Sequence, residues 1–108
     1  MTNIAYKNKK KRYDERKCFM TQYRIIIQGR VQGVGFRHFA LRTAKSLGIK
    51  GFVQNKADGS VFILAESSKP AFELFCDILR QGNSYSQVRH IEIEEMEVTD
   101  IYHDFEIR

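Results

Sequence analysis

Tryptophan is absent from these 108 residues, proline occurs once and cysteine twice, and each shortage narrows what the chain can be. Cys18 and Cys76 stand far apart and belong to no Cys-x-x-Cys pair, so the spacing suggests neither a disulfide framework nor a zinc site. Both read as ordinary thiols. His38, His90 and His103 show no metal-ligand spacing either, and no metal or other cofactor is expected. No apolar run approaches the roughly 18 residues of a membrane span, and the first residues lack the apolar block of a secretory signal. The expectation is a soluble, cytoplasmic protein with no membrane partner. With 43% hydrophobic residues and eight phenylalanines, the chain can build one modest core but not two.

Outside the first twenty residues there is also no excess charge. Lys7, Lys9, Lys10, Lys11, Arg12, Arg16 and Lys17 against Asp14 and Glu15 account for the whole net charge of +5. The rest of the chain is neutral. Residues 1–21 are polar and without amphipathic period, and they read as a basic extension lacking regular structure. A solvated extension and a weak electrostatic nucleic-acid tail are the two readings, and nucleic-acid binding is not the expectation. Met20, directly before the first strand, is an alternative start of the functional chain.

What is present begins with Gly29-Arg30-Val31-Gln32-Gly33-Val34-Gly35-Phe36-Arg37. It joins an apolar strand to a helix through a glycine-containing turn and ends in a guanidinium. Successive backbone N–H groups of such a turn can converge on one oxyanion, and the helix start adds unpaired donors and its positive dipole end. Arg37, in the first helical turn, can grip two oxygens of the same group. Taken alone, the glycines also suit a plain tight turn.

The periodicities that follow are regular. Residues 23–28 carry Ile25, Ile26 and Ile27, a β-branched run that reads as a central strand. Phe36, Phe39, Ala40, Thr43, Ala44 and Leu47 recur at helical spacing, with Arg42 and Lys45 facing away and Gly48 as terminator. Residues 49–55 and 60–66 read as strands around Lys56-Ala57-Asp58-Gly59, hairpin turn chemistry. Pro70 opens a second helix with Phe72, Phe75, Cys76 and Leu79 as its stripe and Gly82 as its stop. A long strand over residues 88–98 changes parity between Ile91/Ile93 and Met96/Val98, which predicts a bulge near Glu94-Glu95. Phe105 to Arg108 alternate as a short edge strand.

The order βαββαβ, with right-handed crossovers and two helices that each need a sheet face, leads to an α+β fold. This is the ferredoxin-like split βαβ sandwich, an antiparallel sheet with two helices on one face. There the first two strands run parallel with the third between them, so Gly29 and Asn55 end at the same sheet edge. Asn55 then comes towards the glycine cradle.

At these residues the sequence resembles the acylphosphatase family, small hydrolases of carboxyl-phosphate mixed anhydrides. Gly29 to Arg37 resembles the family's phosphate-loop signature and Gly51-Phe52-Val53-Gln54-Asn55 its second signature. Asp58-Gly59-Ser60-Val61 and Phe105-Glu106-Ile107-Arg108 are similar too. The likeness covers residues 22–108, the expected domain. Phe52 stands where many members have Trp, and the N-terminal extension departs from the family.

The resemblance implies that Val31, Gln32, Gly33, Val34, Gly35, Phe36 and Arg37 bind the substrate phosphate and that Asn55 positions the attacking water, with no metal. An acyl phosphate expels a carboxylate, a good leaving group that needs no general acid. An amide such as Asn55 orients water rather than deprotonating it. Gln32 is expected to help shape the loop. The loop reads the phosphoryl end alone, so carbamoyl, acetyl and glyceroyl phosphates all remain open as the small-molecule partner. A non-catalytic phosphate-ligand module, as in larger carbamoyl-phosphate-using proteins, is the alternative; the intact Arg37 and Asn55 argue against it. A nucleic-acid binder of this architecture would expose aromatics on its sheet for base stacking, and no strand has that pattern. A monomer is expected.

Overall fold

The computed structural model describes residues 3–8, 20–98 and 100–108. The basic run 9–17 and Cys18 lie outside the described residues. Eight elements follow in order: β1 (Asn3–Asn8), β2 (Thr21–Arg30), α1 (Phe36–Ser46), β3 (Lys50–Asn55), β4 (Val61–Ser67), α2 (Lys69–Gln81), β5 (Gln87–Met96) and β6 (Phe105–Ile107). They make one six-stranded sheet of order β1-β5-β2-β4-β3-β6.

The inner four strands, β5-β2-β4-β3, are antiparallel neighbours, the arrangement that the βαββαβ order demands. The sheet as a whole is mixed rather than antiparallel, because β1 pairs parallel with β5 and β6 parallel with β3. The extension therefore differs from the sequence expectation over residues 3–8. Ile4 stands opposite Ile91 and Tyr6 opposite Ile93. The reason is tertiary: the outer side of β5 is a row of unpaired backbone donors and acceptors, a template for a further strand that composition does not reveal.

Alternation along the strands separates two faces. Tyr23, Ile25, Ile27, Val53, Val61, Ile63, Ala65, Ile91 and Ile93 are buried together with Phe36, Ala40 and Ala44 of α1 and Phe72, Phe75, Cys76 and Leu79 of α2. The helical stripes and the strand alternation thus meet in one core. Tyr23 stacks on Phe72 with ring centroids 3.5 Å apart, and Phe75 meets Phe105 edge-on at 6.3 Å. Ser68 caps α2, its Oγ accepting from the Ala71 N–H, with Pro70 in the first turn.

The opposite face carries Phe52 and Phe62, ring centroids 5.8 Å apart. Phe52 is only 9% exposed, because Tyr102 packs beside it and the Arg108 guanidinium lies 4.1 Å over its ring. Nearby on that face Gln22 is buried, donating to Glu66 Oε1 at 3.2 Å and to the Asp100 carbonyl at 2.6 Å.

The bulge expected near Glu94-Glu95 is not there. Residues 22 to 27 of β2 pair in unbroken register with residues 96 to 91 of β5, and the shift falls between Gln28 and Gly29, where Arg89 is passed over. Met96 keeps the parity of Glu92 and Glu94, the strand ends with it, and Val98 lies beyond, 43% exposed. Because β5 ends at Met96, Ile91 and Ile93 share the buried face and no bulge is needed to bring Val98 to it. The displaced bulge has its extra residue, Arg89, in β5, so β5 is the strand that bends, opposite the point where β2 enters the glycine loop.

Candidate active site

Residues 31–35 leave β2 as an irregular loop and α1 begins at Phe36. Val31 and Phe36 are buried and pin the loop at both ends, whereas Gly33 and Gly35 are exposed. Both glycines adopt the left-handed backbone, φ 73° and 77°, which a side chain disfavours. The result is a concave turn. Among the described residues no backbone carbonyl takes the N–H groups of residues 32–36, so they are available to a ligand. Gly35 is the N-cap of α1 and offers no side-chain acceptor, and the first turn holds no acidic residue. The contrast with the Ser68 cap of α2 is direct: one helix start is closed by its own chain, the other is left open with its dipole unanswered. Arg37 is half-buried on that first turn and is in no ion pair among the described residues.

Asn55 is the last residue of β3 and faces Val61 of β4, which on its other side faces Ile27 of β2. Directly opposed residues project from the same side of a sheet, so Asn55 shares the helix-covered side with Ile27 and Val61. It stands two strands, roughly 10 Å, from Ile27, where β2 is about to enter the loop. Its Oδ1 is buried with no hydrogen-bond partner, an acceptor that a bound water or ligand donor would satisfy.

Gln32 joins the two halves. Its Nε2 donates to the carbonyls of Lys56 at 2.7 Å and Ser60 at 2.8 Å, tying the loop to both ends of the hairpin turn that begins right after Asn55. The hairpin is itself braced: Asp58 Oδ1 accepts from the Ser60 N–H at 2.9 Å and from the Ser60 hydroxyl at 2.6 Å. Those two bonds hold the Asp58 carboxyl below its usual range. On the other flank Asn83 Nδ2 donates to the Val34 carbonyl at 2.7 Å. Asn83 was missed by sequence reasoning. It lies 49 residues from its partner in a polar connection after Gly82, and no local pattern links the two.

The structure thus brings the glycine loop and the Asn55 corner together through Gln32 and sets Arg37 on the helix that the loop opens. A hollow on the open sheet face is lined by Arg24, Gln54, Lys56, Phe62, Glu92 and Glu94. Its Arg24 guanidinium is already 3.8 Å from Glu94, so that surface offers an anion little. No group of three or more His, Cys, Asp or Glu residues suited to a metal occurs among the described residues, and no helix there is long and apolar enough to cross a membrane.

A ferredoxin-like domain whose glycine loop opens an uncapped helix carrying an unpaired arginine is of the class that handles phosphoryl groups. The acylphosphatase family model matches residues 23–107. Acylphosphatases of Shewanella amazonensis and Bacillus subtilis are 44% and 42% identical over 88 residues, 82% of this chain and 97% of each of those proteins. The crystal structure of acylphosphatase from Bacillus subtilis superposes with a TM-score of 0.79 at 41% identity, covering 82% of this chain and 98% of that one. Full-length HypF in its phosphate- and nucleotide-bound form is similar to 82% of this chain at 32% identity and a TM-score of 0.73, but over only 12% of its own length. The chain belongs to the acylphosphatase family.

Proposed function

We propose that the N–H groups of residues 31–36 and the Arg37 guanidinium hold the phosphoryl group of the substrate while Asn55 positions the water that attacks it. The chain is an acylphosphatase, hydrolysing the carboxyl–phosphate bond of acyl phosphates. Water oxygen bonds to phosphorus, the bond from phosphorus to the acyl oxygen breaks, and the products are a carboxylate and inorganic phosphate, which keeps both water protons. The carboxylate leaves without protonation, so catalysis reduces to holding phosphorus in line with water and stabilising its equatorial oxygens. Free N–H groups, a helix start and a fixed guanidinium supply that stabilisation.

The observation that carries the reading is Asn55 Oδ1, buried and without a partner at the corner to which Gln32 ties the loop. A water donating to that oxygen would have its lone pairs turned elsewhere, towards a phosphorus seated in the loop. The phosphate oxygens, not the amide, take the proton.

The test is phosphate release from benzoyl phosphate, in excess chelator, by wild type, Arg37→Ala and Asn55→Ala, with circular dichroism to establish folding. Arg37→Ala is expected to lose on the order of 10²–10³ in kcat/KM together with affinity for inorganic phosphate. Asn55→Ala is expected to keep phosphate affinity while kcat collapses. Wild-type activity in an equally active Asn55→Ala would remove the water-positioning role.

A further inference from the structure

The glycine loop does not face open solvent on every side. A groove of 780 Å³ opens along it, with Gly33, Val34 and Gly35 as its floor and Arg30, Ser84, Tyr85, Ser86 and Gln87 as its walls. That size lies within the roughly 300–1,000 Å³ of small-molecule sites.

The far wall is the connection between α2 and β5, and it is fastened once to the floor and once to the strand that leads into the loop. Asn83 donates to the Val34 carbonyl at 2.7 Å, and Gln87 stands opposite Arg30 where β5 pairs with the end of β2. Ser86 Oγ accepts from the Asn83 N–H at 2.9 Å, which folds the connection back on itself. The wall is therefore held against the loop.

Its chemistry has one sign. The lining contributes three hydroxyls, one amide and the Arg30 guanidinium, and no carboxylate. The Tyr85 side is 76% exposed, a large ring left at the lip of the groove.

We propose that this groove receives the acyl portion of the substrate and favours acyl phosphates that bear a second anionic group at the far end of a short chain. The inference rests on the phosphoryl-holding role of the loop. With the phosphoryl group seated over residues 33–35, the acyl carbon leaves the loop beside the groove floor. Its methylenes run along the groove beside the Tyr85 ring, and a terminal anion meets Arg30, the one cation of the lining.

The probes are succinyl phosphate and butyryl phosphate, which share a four-carbon chain and differ in the terminal carboxylate, with acetyl phosphate as the short reference. Wild type is expected to prefer succinyl over butyryl phosphate in kcat/KM. Arg30→Gln reduces that preference about fivefold, the scale of one exposed charge pair, and Arg42→Gln, on the outer side of α1, does not. Tyr85→Ala raises KM for both four-carbon substrates more than for acetyl phosphate and leaves kcat alone. A preference within twofold of unity in wild type, or an Arg30→Gln loss equal for succinyl and butyryl phosphate, would overturn the groove assignment while leaving the hydrolase reading intact. Wild type that hydrolyses none of the three overturns both.

Discussion

Gln32 and Lys56 are joined across 24 residues by a 2.7 Å hydrogen bond from the side-chain amide to the main-chain carbonyl. That bond, with its companion to Ser60, connects the loop that would hold phosphate to the hairpin that carries Asn55. Gln32→Ala removes both. Because each bond contributes about 1 kcal/mol, the variant should remain folded and lose at most about 2–3 kcal/mol in a urea titration. A misplacement of the order of 1 Å between loop and water costs about 10² in rate, so kcat/KM should fall far more than stability does. Equal activity in Gln32→Ala would show that the loop holds its place without the tether.

Two glycines of the same loop region separate conformational strain from collision. A methyl group at Gly33 meets nothing within 4 Å, and only its left-handed φ of 73° opposes a side chain. Gly33→Ala should cost about 1–2 kcal/mol. At Gly29, φ 137°, the methyl would run into the Gln87 carbonyl oxygen across the β2–β5 pairing, and backbone cannot yield as a side-chain tip can. Gly29→Ala should cost about 3 kcal/mol or more, and denaturant midpoints for the two variants check the order.

Burial pushes the pKa of the Cys76 thiol up to about 12. The thiolate is the nucleophile, so iodoacetamide at pH 8 should leave Cys76 unmodified in the native chain and label it after denaturation, as peptide mass mapping will report. The linkage has a definite sign. Between about pH 9 and 12 the unfolded chain gives up this proton and the folded chain keeps it, so this group lowers stability as pH rises through that window and has no effect below it. Cys76→Ala should flatten that part of the stability profile.

Phe72 is 1% exposed and stacks on Tyr23, at the point where α2 meets the central strand. Phe72→Ala should destabilise by about 3–5 kcal/mol, transfer and cavity contributions together. Calorimetry showing a loss below 1 kcal/mol would mean that the core closes over the gap.

The four inner strands and both helices were legible in the chain because their signals are local. Three isoleucines in a row, Phe72-Phe75-Cys76-Leu79 at helical spacing, and Asp58-Gly59 between two apolar runs each state their element within a few residues. Arg37 and Asn55 were legible only as members of two separated motifs, since either residue alone suits an ordinary surface. The bulge was placed wrongly because parity within one strand was the only signal. The register between β2 and β5 put it at Arg89 instead.

The sequence by itself determined the order of elements, the faces they bury and the residue types offered to a phosphoryl group, since these follow from periodicity, turn chemistry and the spacing of glycine and arginine along one chain. Tertiary structure alone decided that Asn3–Asn8 lies beside β5, that Gln32 reaches the hairpin and that Asn83 holds the loop through Val34. Each of those is a hydrogen bond to a backbone group, and every residue carries the same backbone groups. No residue type marks such an acceptor in advance; only the folded chain says which carbonyl will be near.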